Sequence, residues 1–182
     1  GWVRFDYDKA FSKPVRVVND AAMQALGAYQ GGRMLFLGLG TGLGSAFVAN
    51  GQLEPLELAH LPYRNNRTYE DYVGLRGYEK YGKRRWRRFV DDVVDRLKAG
   101  LVADYVVLGG GQAKRLKGLP EGCRMGDNFN AFIGGQRIWE EPRAQPRARK
   151  RARGARPARR TLAPTPASGA GPDGGAGGEP AT

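Results

Sequence analysis

The sequence predicts an α/β domain over residues 1–139, followed by a disordered tail over residues 140–182. Two observations predict the domain. Short apolar runs typical of strands alternate with helical patterns, and two of the runs lead directly into glycine clusters, at residues 38–44 and 109–111. A third observation predicts the tail, which holds seven of the 11 prolines and one leucine. Such a segment buries too little apolar surface to offset the entropy of ordering it.

Composition narrows the classes of function. The net charge is +12, of which the tail's nine basic and four acidic residues supply +5, and this excess favours polyanionic partners such as phosphates or nucleic acid. One cysteine and one histidine exclude a disulfide framework, and no protein-built metal site is predicted. The single cysteine also predicts a cytoplasmic, reducing compartment. No run approaches the ~18 apolar residues of a membrane span, so no membrane partner is predicted.

The first elements run from residue 15 to residue 56. The β-branched run 15–18 predicts a strand, and residues 21–29 predict a helix for which Asp20 is a suitable cap. Residues 33–56 predict three successive antiparallel strands. Their turns are a glycine-rich segment at 40–44 and the pair Asn50-Gly51, where both positions favour a positive φ.

One long helix dominates the second half. Residues 61–82 look irregular apart from a helical turn at 69–73, whereas apolar residues recur at three- and four-residue spacing over 83–101 and predict an amphipathic helix. A buried strand at 105–108 then runs into the second glycine cluster. Shorter helices are predicted at 112–117 and 130–139.

The two glycine clusters are candidate phosphate-binding turns. Backbone N–H groups approach a phosphate closely where no Cβ intervenes, and Thr41 adds a hydroxyl donor between Gly40 and Gly42. Neither cluster has the spacing of a dinucleotide-binding or P-loop motif, so structural turns remain the alternative. Ligands of open α/β sheets gather at the carboxyl ends of strands, which favours a joint role for the two clusters.

Polar and basic candidates lie around these clusters. Asp20 stands between a predicted strand and helix, where a carboxylate can accept a proton from a bound hydroxyl; a plain helix cap is the simpler alternative. Glu57 and His60 offer acceptors and a donor suited to sugar hydroxyls, although such a pair is also a common structural contact.

A dense basic segment lies on the long predicted helix. It contains Arg84, Arg85, Arg87 and Arg88. Several guanidinium groups on one helix suit a polyanion such as polyphosphate, while a solvated helix face is the alternative. The basic run 147–160 of the tail suits weak, nonspecific binding of nucleic acid.

The order of these motifs resembles a known family. The segments VVNDAAMQALG, LGLGTGLGSAFVANGQL, ELAH and VVLGGG follow one another as in the ROK family of sugar kinases, which belong to the actin-like ATPase superfamily. The stretches 60–97 and 126–139 are similar to the polyphosphate-glucokinase-like group of that family. The resemblance covers nearly all of residues 1–139. It implies the carboxyl-terminal lobe of the actin-like ATPase, or ribonuclease H-like, fold, with a mixed sheet flanked by helices.

The resemblance also implies a role for each candidate. It makes Asp20 the catalytic base toward the 6-hydroxyl of glucose or a similar hexose, Asn19 a sugar contact, and Glu57 and His60 the sugar-binding pair. The phosphate-binding and nucleoside-binding loops are then Gly40, Thr41 and Gly42, and Gly109, Gly110 and Gly111, respectively. The implied donor is ATP or polyphosphate with Mg²⁺, and a homodimer is left open.

Two departures from the family pattern bear on these expectations. Ala59 stands where glycine is usual, and the cysteine-rich zinc motif of many members is absent, as in the polyphosphate-glucokinase-like group. The family's amino-terminal lobe, with its first phosphate loop, has no counterpart in this sequence, so an incomplete kinase is expected. The alternatives are a non-catalytic sugar- or polyanion-binding regulatory module and an inactive, truncated remnant.

Overall fold

The computed structural model describes residues 5–140. From residue 141 onward the predicted tail lies outside the described residues, so its disorder stays a prediction. The described helices and strands are α1 (Tyr7–Phe11), α2 (Asp20–Ala28), β1 (Arg33–Leu39), β2 (Leu43–Ala49), β3 (Gln52–Leu56), β4 (Pro62–Arg64), β5 (Arg67–Thr68), α3 (Tyr69–Val73), α4 (Leu75–Gly100), β6 (Tyr105–Gly109), β7 (Cys123–Met125) and α5 (Asn130–Arg137). Two 3-10 helices lie at Leu58–His60 and Ala113–Arg115.

A mixed five-stranded sheet in the order β3-β2-β1-β6-β7 forms the centre of the fold. The pairs β1–β2 and β2–β3 are antiparallel, as predicted, because short turns join them. Strand β6 returns beside β1 in the parallel direction after the long helix α4, and β7 is parallel to β6. The predicted mixed sheet flanked by helices is thereby confirmed.

The sheet separates two apolar clusters, since successive side chains of a strand point to opposite faces. One cluster contains Leu35, Leu37 and Leu39 with the apolar side of α4, and the other contains Met34 and Phe36 with the alanines of α2. Trp86 of α4 is fully buried, and its indole N–H donates to the carbonyl oxygen of Val73 at 2.8 Å. This bond fixes the middle of α4 against α3.

Helices α2 and α5 cross with their backbones in contact. A Cβ at Gly27 of α2 would overlap the carbonyl oxygen of Asn130, and a Cβ at Gly134 of α5 would overlap that of Met23. Only glycine leaves room for this approach at both positions. The crossing holds α2 in place, and with it Asp20 at the amino end of that helix.

The prediction that residues 61–82 are irregular is wrong over most of their length. The segment contains the β4–β5 hairpin, the predicted turn as α3, and the first part of α4, which begins at Leu75. Its order comes from tertiary packing of aromatic rings: Tyr72 and Tyr81 stack with ring centroids 5.1 Å apart. Tyrosines and glycines with no aliphatic period hide this helix in the sequence.

The other differences between the predicted and the observed elements are small. The strand predicted at 15–18 is not formed: Val17 exposes 72% of its surface, and no described strand pairs with the segment. A β-branched run favours a strand only where it packs against neighbours. The helix predicted at 112–117 is only a 3-10 helix, and the helix predicted at 130–139 ends at Arg137.

Strand β7 was hidden in the sequence because an edge strand of three residues has no detectable period. Burial raises the pKa of its Cys123 thiol to about 11, so the thiol is protonated at neutral pH and is a structural residue. Among residues 5–140, every helix is too short or too polar to cross a membrane.

Candidate active site

A cavity of about 380 Å³ opens where β1 and β6 end. These strands are parallel, so their carboxyl ends meet at one edge of the sheet, where ligands of α/β proteins gather. The cavity also receives the amino end of α2, the turn between β1 and β2, and the segment after β3. Its lining includes Asp20, Gln24, Phe36, Gly38, Gly40, Thr41, Gly42, Gly44, Glu57, His60, Glu70 and Gly110. Three separate sequence motifs and the middle residue of the second glycine cluster therefore meet in one place.

The glycine turn at 40–42 is held by its own backbone and by α4. The Gly40 N–H donates to the Gly42 carbonyl oxygen at 3.1 Å, and the Leu75 N–H lies 3.1 Å from the Gly40 carbonyl oxygen and 3.2 Å from that of Thr41. Thr41 is exposed, and its side chain makes no hydrogen bond within residues 5–140. A phosphate approaching this turn would meet open backbone and a free hydroxyl.

Of the second glycine cluster, only Gly110 lines the cavity. Its φ is +81°, and a Cβ there would overlap the backbone of Leu39, so both its conformation and its surroundings require glycine. Gly109 lies under the ring of Phe36, where a Cβ would stand 2.6 Å from the nearest ring carbon. Gly111 is exposed and does not line the cavity. The predicted loop Gly109–Gly111 therefore reaches the cavity at its middle residue.

The side chain that caps α2 is Asn19, which corrects the expectation for Asp20. Asn19 Oδ1 accepts a hydrogen bond from the Ala22 N–H at 2.6 Å, because an N-cap side chain must reach two or three residues ahead. Asp20 is the first residue of the helix, and its Oδ1 accepts from the N–H of Ala21 at 2.8 Å. Asp20 remains exposed and lines the cavity, whereas Asn19 does not line it.

The Glu57–His60 segment is positioned by a buried hydroxyl. Ser45 is 2% exposed; its hydroxyl donates to the Leu56 carbonyl oxygen at 2.8 Å and accepts from the Leu58 N–H at 3.1 Å. The two bonds turn the chain at Glu57 into the 3-10 helix that carries His60. Both predicted residues line the cavity. Ser45 was not singled out from the sequence, because a serine inside a strand carries no signal of this role.

Glu70 is a site residue that the sequence did not reveal. Its Oε1 lies 4.0 Å from Nδ1 of His60, and a Cβ at Gly42 would overlap its Oε2. The carboxylate therefore stands between His60 and the glycine turn. In the sequence it is hidden in a helix start, since Thr68 and Asp71 form a capping box around it and an acidic residue in a first turn is ordinary.

The structure separates the four predicted arginines. Arg84, Arg85 and Arg88 line a different groove, located at Gly82. Arg87 is turned to another side of α4, where its Nε and Nη2 donate to the Arg115 carbonyl oxygen at 3.2 and 2.6 Å. Since each helical residue is rotated by about 100° from the one before, a run of arginines spreads around the helix, and Arg87 points away from the groove that the other three line.

The carboxylates of the cavity do not form a metal cage. Asp20, Glu57 and Glu70 all line it, but within residues 5–140 no group of three or more His, Cys, Asp or Glu side chains is arranged to hold a metal ion. Carboxylate oxygens suit Mg²⁺, which usually keeps several waters and is bound by one or two carboxylates together with substrate phosphates. The donor set therefore fits a magnesium ion that arrives with a phosphorylated substrate.

Comparisons with known proteins find similar folds among solved structures. No protein-family model matches the sequence, and no curated protein matches it significantly. Among solved structures, an inorganic polyphosphate/ATP-glucomannokinase from Arthrobacter sp. strain KM is similar with a TM-score of 0.60 and 26% identity, over 72% of this chain and 58% of that one. A ROK hexokinase from Thermus thermophilus gives a TM-score of 0.56 and 20% identity, over 70% and 65% of the two chains.

A third solved structure, a ROK family glucokinase from Streptomyces griseus in complex with glucose and AMPPNP, gives a TM-score of 0.54 and 16% identity, over 72% of this chain and 70% of that one. The described chain therefore has the sugar kinase form of the actin-like ATPase fold. Its structural neighbours are ROK family sugar kinases, which confirms the resemblance predicted from the motifs. The chain spans less than two thirds of the length of the glucomannokinase and of the hexokinase.

Proposed function

We propose that this chain supplies the sugar-binding part of a sugar kinase, which transfers a phosphoryl group from ATP or polyphosphate to the 6-hydroxyl of glucose or a similar hexose. One observation carries the proposal: a single cavity collects a carboxylate, a Glu-His pair and a glycine turn from separate motifs. The glucose and AMPPNP bound to the Streptomyces glucokinase support a sugar and a nucleotide as ligands of this fold.

Asp20 is the proposed catalytic base. In phosphoryl transfer the acceptor hydroxyl must lose its proton as its oxygen bonds to phosphorus, and a carboxylate within hydrogen-bond reach can take that proton. The geometry of Asp20 supports this role. One carboxylate oxygen is held by the Ala21 N–H at 2.8 Å, while the other makes no hydrogen bond within residues 5–140.

Glu57, His60 and Glu70 are the proposed sugar ligands. The two carboxylates can accept hydrogen bonds from sugar hydroxyls, and the imidazole can accept or donate. The 4.0 Å between His60 and Glu70 supports their acting on one ligand. Asn19 uses its side-chain oxygen in the helix cap and does not line the cavity, so its sugar contact rests on the family resemblance alone.

The phosphoryl group is proposed to lie at the turn of Gly40, Thr41 and Gly42. Phosphoryl transfer needs little covalent chemistry from the protein; it needs the hydroxyl and the phosphate to be aligned and the developing charge to be stabilised. The Thr41 hydroxyl and the open backbone of the turn supply hydrogen-bond donors for that charge. Mg²⁺ bound to the donor would neutralise part of the phosphate charge, and Glu57 or Glu70, which line the cavity and are not the proposed base, would help to hold it there.

The whole enzyme is proposed to need a second lobe in addition to this chain. A kinase cleft closes over its substrates, which excludes water and completes the set of groups around the phosphate. The coverage of 58% of the glucomannokinase supports this expectation. The chain without that lobe is expected to bind glucose weakly and to turn over slowly.

The test joins the chain to the amino-terminal lobe of the Arthrobacter glucomannokinase and measures glucose phosphorylation with ATP and with polyphosphate. We expect Asp20→Asn to lower kcat by about 10²- to 10⁴-fold with a much smaller change in KM for glucose. Asp95→Asn, which removes an exposed carboxylate far along α4, is the matched control and should keep full activity. Equal activity of parent and Asp20→Asn would remove Asp20 from the mechanism. Glucose binding without turnover by any donor would instead favour a non-catalytic sugar-binding module.

A further inference from the structure

The β4–β5 hairpin joins two residues of the candidate active site. It spans residues 61–69, and its two strands pair in the antiparallel direction. At its base the Tyr69 N–H donates to the Leu61 carbonyl oxygen at 3.2 Å. His60 directly precedes the hairpin and Glu70 directly follows it, so closure of the base brings these two side chains together.

The place of His60 in the cavity depends on this backbone. Its side chain is 71% exposed, and its Nδ1 lies 4.0 Å from Oε1 of Glu70. An imidazole so exposed is not fixed by packing around the ring. The bonds of Ser45 hold the chain before His60, which leaves the hairpin to hold the chain after it.

Asp92 of α4 bonds to the first strand of the hairpin. Its Oδ2 accepts hydrogen bonds from the Tyr63 hydroxyl and from Nη2 of Arg64, the latter at 3.0 Å. Arg96, one turn further along α4, donates to the same oxygen from its Nε at 2.9 Å. Two of the three donors belong to β4 and the third to the helix, so one carboxylate oxygen links β4 to α4.

The backbone position and the charge of Asp92 are both fixed. The adjacent Val93 and Val94 are each 1% exposed and belong to the apolar cluster on the α4 side of the sheet, so the core holds the helix at this point. Burial acts to raise the pKa of Asp92, but the hydrogen bonds from Tyr63 and Arg96 outweigh it and the pKa is lowered from its ordinary value. The carboxylate is therefore ionised at neutral pH, and its hydrogen bonds are charge-assisted.

The ring of Tyr63 connects this contact to the base of the hairpin. It packs against Tyr69 and Tyr72, with ring centroids 5.0 Å away in both cases. Tyr72 is 2% exposed and lies in the core, whereas Tyr69 is the residue that closes the base of the hairpin. A displacement of Tyr63 would therefore disturb Tyr69 and, through it, the next residue, Glu70.

We propose that Asp92 is a positioning residue for the pair His60 and Glu70. By holding β4 through Tyr63, its carboxylate keeps the hairpin closed and the pair in place across the base. Asp92 does not line the cavity, so it acts through the pair rather than on the sugar. The role of the pair as sugar ligands rests on the proposed function, whereas the contacts of Asp92 do not depend on it.

The position of the pair can be measured without turnover. His60 is the single histidine of the 182 residues, so in the full chain without a histidine tag every imidazole C–H signal belongs to it. NMR spectra at one pH and one salt concentration compare the parent with Asp92→Asn. The variant Glu70→Gln shows where the signals lie once the charge beside the imidazole is lost.

Asp91→Asn is the matched control for Asp92. It removes the same charge from an exposed side chain of α4 that makes no hydrogen bond or ion pair within residues 5–140. We expect Asp92→Asn to move the His60 signals toward their positions in Glu70→Gln, and Asp91→Asn to leave them in place. Tyr63→Phe keeps the ring and removes only the hydroxyl, so it tests the same contact with little disturbance of the fold and should shift the signals in the same direction.

The kinetic effect should appear in KM rather than in kcat. In the enzyme completed with an amino-terminal lobe, we expect Asp92→Asn to raise KM for glucose about 10-fold and to change kcat about threefold or less. The reason is that the sugar ligands are displaced while the proposed base, Asp20, is not. Loss of a merely structural contact would lower the free energy of unfolding and leave KM for glucose unchanged, as we expect for Asp91→Asn.

Either of two results would overturn the proposal. His60 signals that stay in place in both Asp92→Asn and Tyr63→Phe would show that the carboxylate does not hold the pair. An unchanged KM for glucose together with a lower stability would make Asp92 a structural residue only. An enzyme that phosphorylates no sugar would instead reject the proposed function, and the His60 signals would still decide whether Asp92 positions the pair.

Discussion

At the scale of single residues, the proposed sugar contact of Glu70 can be tested by substitution. It lies between His60 and the glycine turn, and it is partly buried beside the cavity. We expect Glu70→Gln to raise KM for glucose about 10- to 100-fold in the enzyme completed with an amino-terminal lobe, because a hydrogen bond to a charged group contributes about 1.5–3 kcal/mol.

Glu79→Gln is the matched control for Glu70. Glu79 is exposed on α4, its side chain makes no hydrogen bond or ion pair within residues 5–140, and its substitution should leave KM unchanged. Steady-state kinetics with glucose at saturating donor provide the measurement. An equal effect of the two substitutions would remove Glu70 from the sugar site.

Asp71 stabilises the helix that carries Glu70, and does so in a pH-dependent way. The backbone N–H of Thr68, which lies 3.1 Å from the Asp71 carboxylate, is the main cause that lowers the pKa of Asp71 below its ordinary value, and the Thr68 hydroxyl adds to it. A lowered folded-state pKa means that the carboxylate stabilises the fold above the ordinary pKa of about 4. This contribution is lost as the pH falls through the lowered value.

We therefore expect Asp71→Asn to reduce the free energy of unfolding by about 0.5–1 kcal/mol at pH 7, and by progressively less as the pH falls below about 4. Urea unfolding over this pH range measures the difference. Glu121→Gln, at an exposed carboxylate without a described partner, should stay within about 0.5 kcal/mol of the parent throughout. A deficit for Asp71→Asn that is the same at pH 3 and pH 7 would contradict the role of its charge.

At the scale of elements, the crossing of α2 and α5 decides where Asp20 lies. The helices meet backbone to backbone at Gly27 and Gly134, and Asp20 begins the first of them. Any side chain at the crossing must push the helices apart, because the atoms that it would meet are backbone carbonyl groups that cannot rotate away.

We expect Gly134→Ala to lower the free energy of unfolding by about 1–3 kcal/mol or more. Gly135→Ala is the matched control in the same helix. A Cβ there would meet only the sulfur of Met23, at an ordinary 3.6 Å, so alanine should be neutral or stabilising through its higher helix propensity. Thermal unfolding followed by circular dichroism separates the two, and equal stability of both variants would show that the helices can part without loss.

At the scale of the whole molecule, both apolar clusters share the central strand β1. Leu35 belongs to one and Phe36 to the other, so neither cluster can lose its packing while the strand stays intact. Small domains built in this way unfold in one step. Two apolar clusters joined through one strand argue against a misfolded remnant.

We expect one cooperative urea transition, with the same midpoint by circular dichroism and by tryptophan fluorescence. Of the two tryptophans within residues 5–140, Trp86 is fully buried and Trp139 is half exposed, so their fluorescence change should come mainly from Trp86. The Trp86→Phe variant should remove the Trp86 contribution to that change and be about 2–4 kcal/mol less stable, since it also leaves the Val73 carbonyl without its donor. Separate midpoints for the two probes would indicate that parts of the chain unfold independently.

Local chemistry accounts for what could be predicted from the sequence. The three strands over 33–56 followed from apolar runs and turn residues, and Asn50 and Gly51 do have the positive φ values, 56° and 79°, that the turn requires. The long helix followed from apolar spacing over 83–101. Asp20, Glu57 and His60 were predicted because each stands next to the end of an element, and the cavity collects all three.

The sequence by itself determined the α/β class, the strand-glycine motifs and their order, and through that order the resemblance to ROK sugar kinases, since all of these depend on residues close together in the chain. Only the tertiary structure decided that α4 begins at Leu75, that Glu70 lines the cavity, and that Arg87 donates to the Arg115 carbonyl oxygen instead of lining the groove of the other arginines. The physical reason is the same in each case. These outcomes depend on contacts between segments far apart in the chain, and no local period or motif encodes which segments will meet.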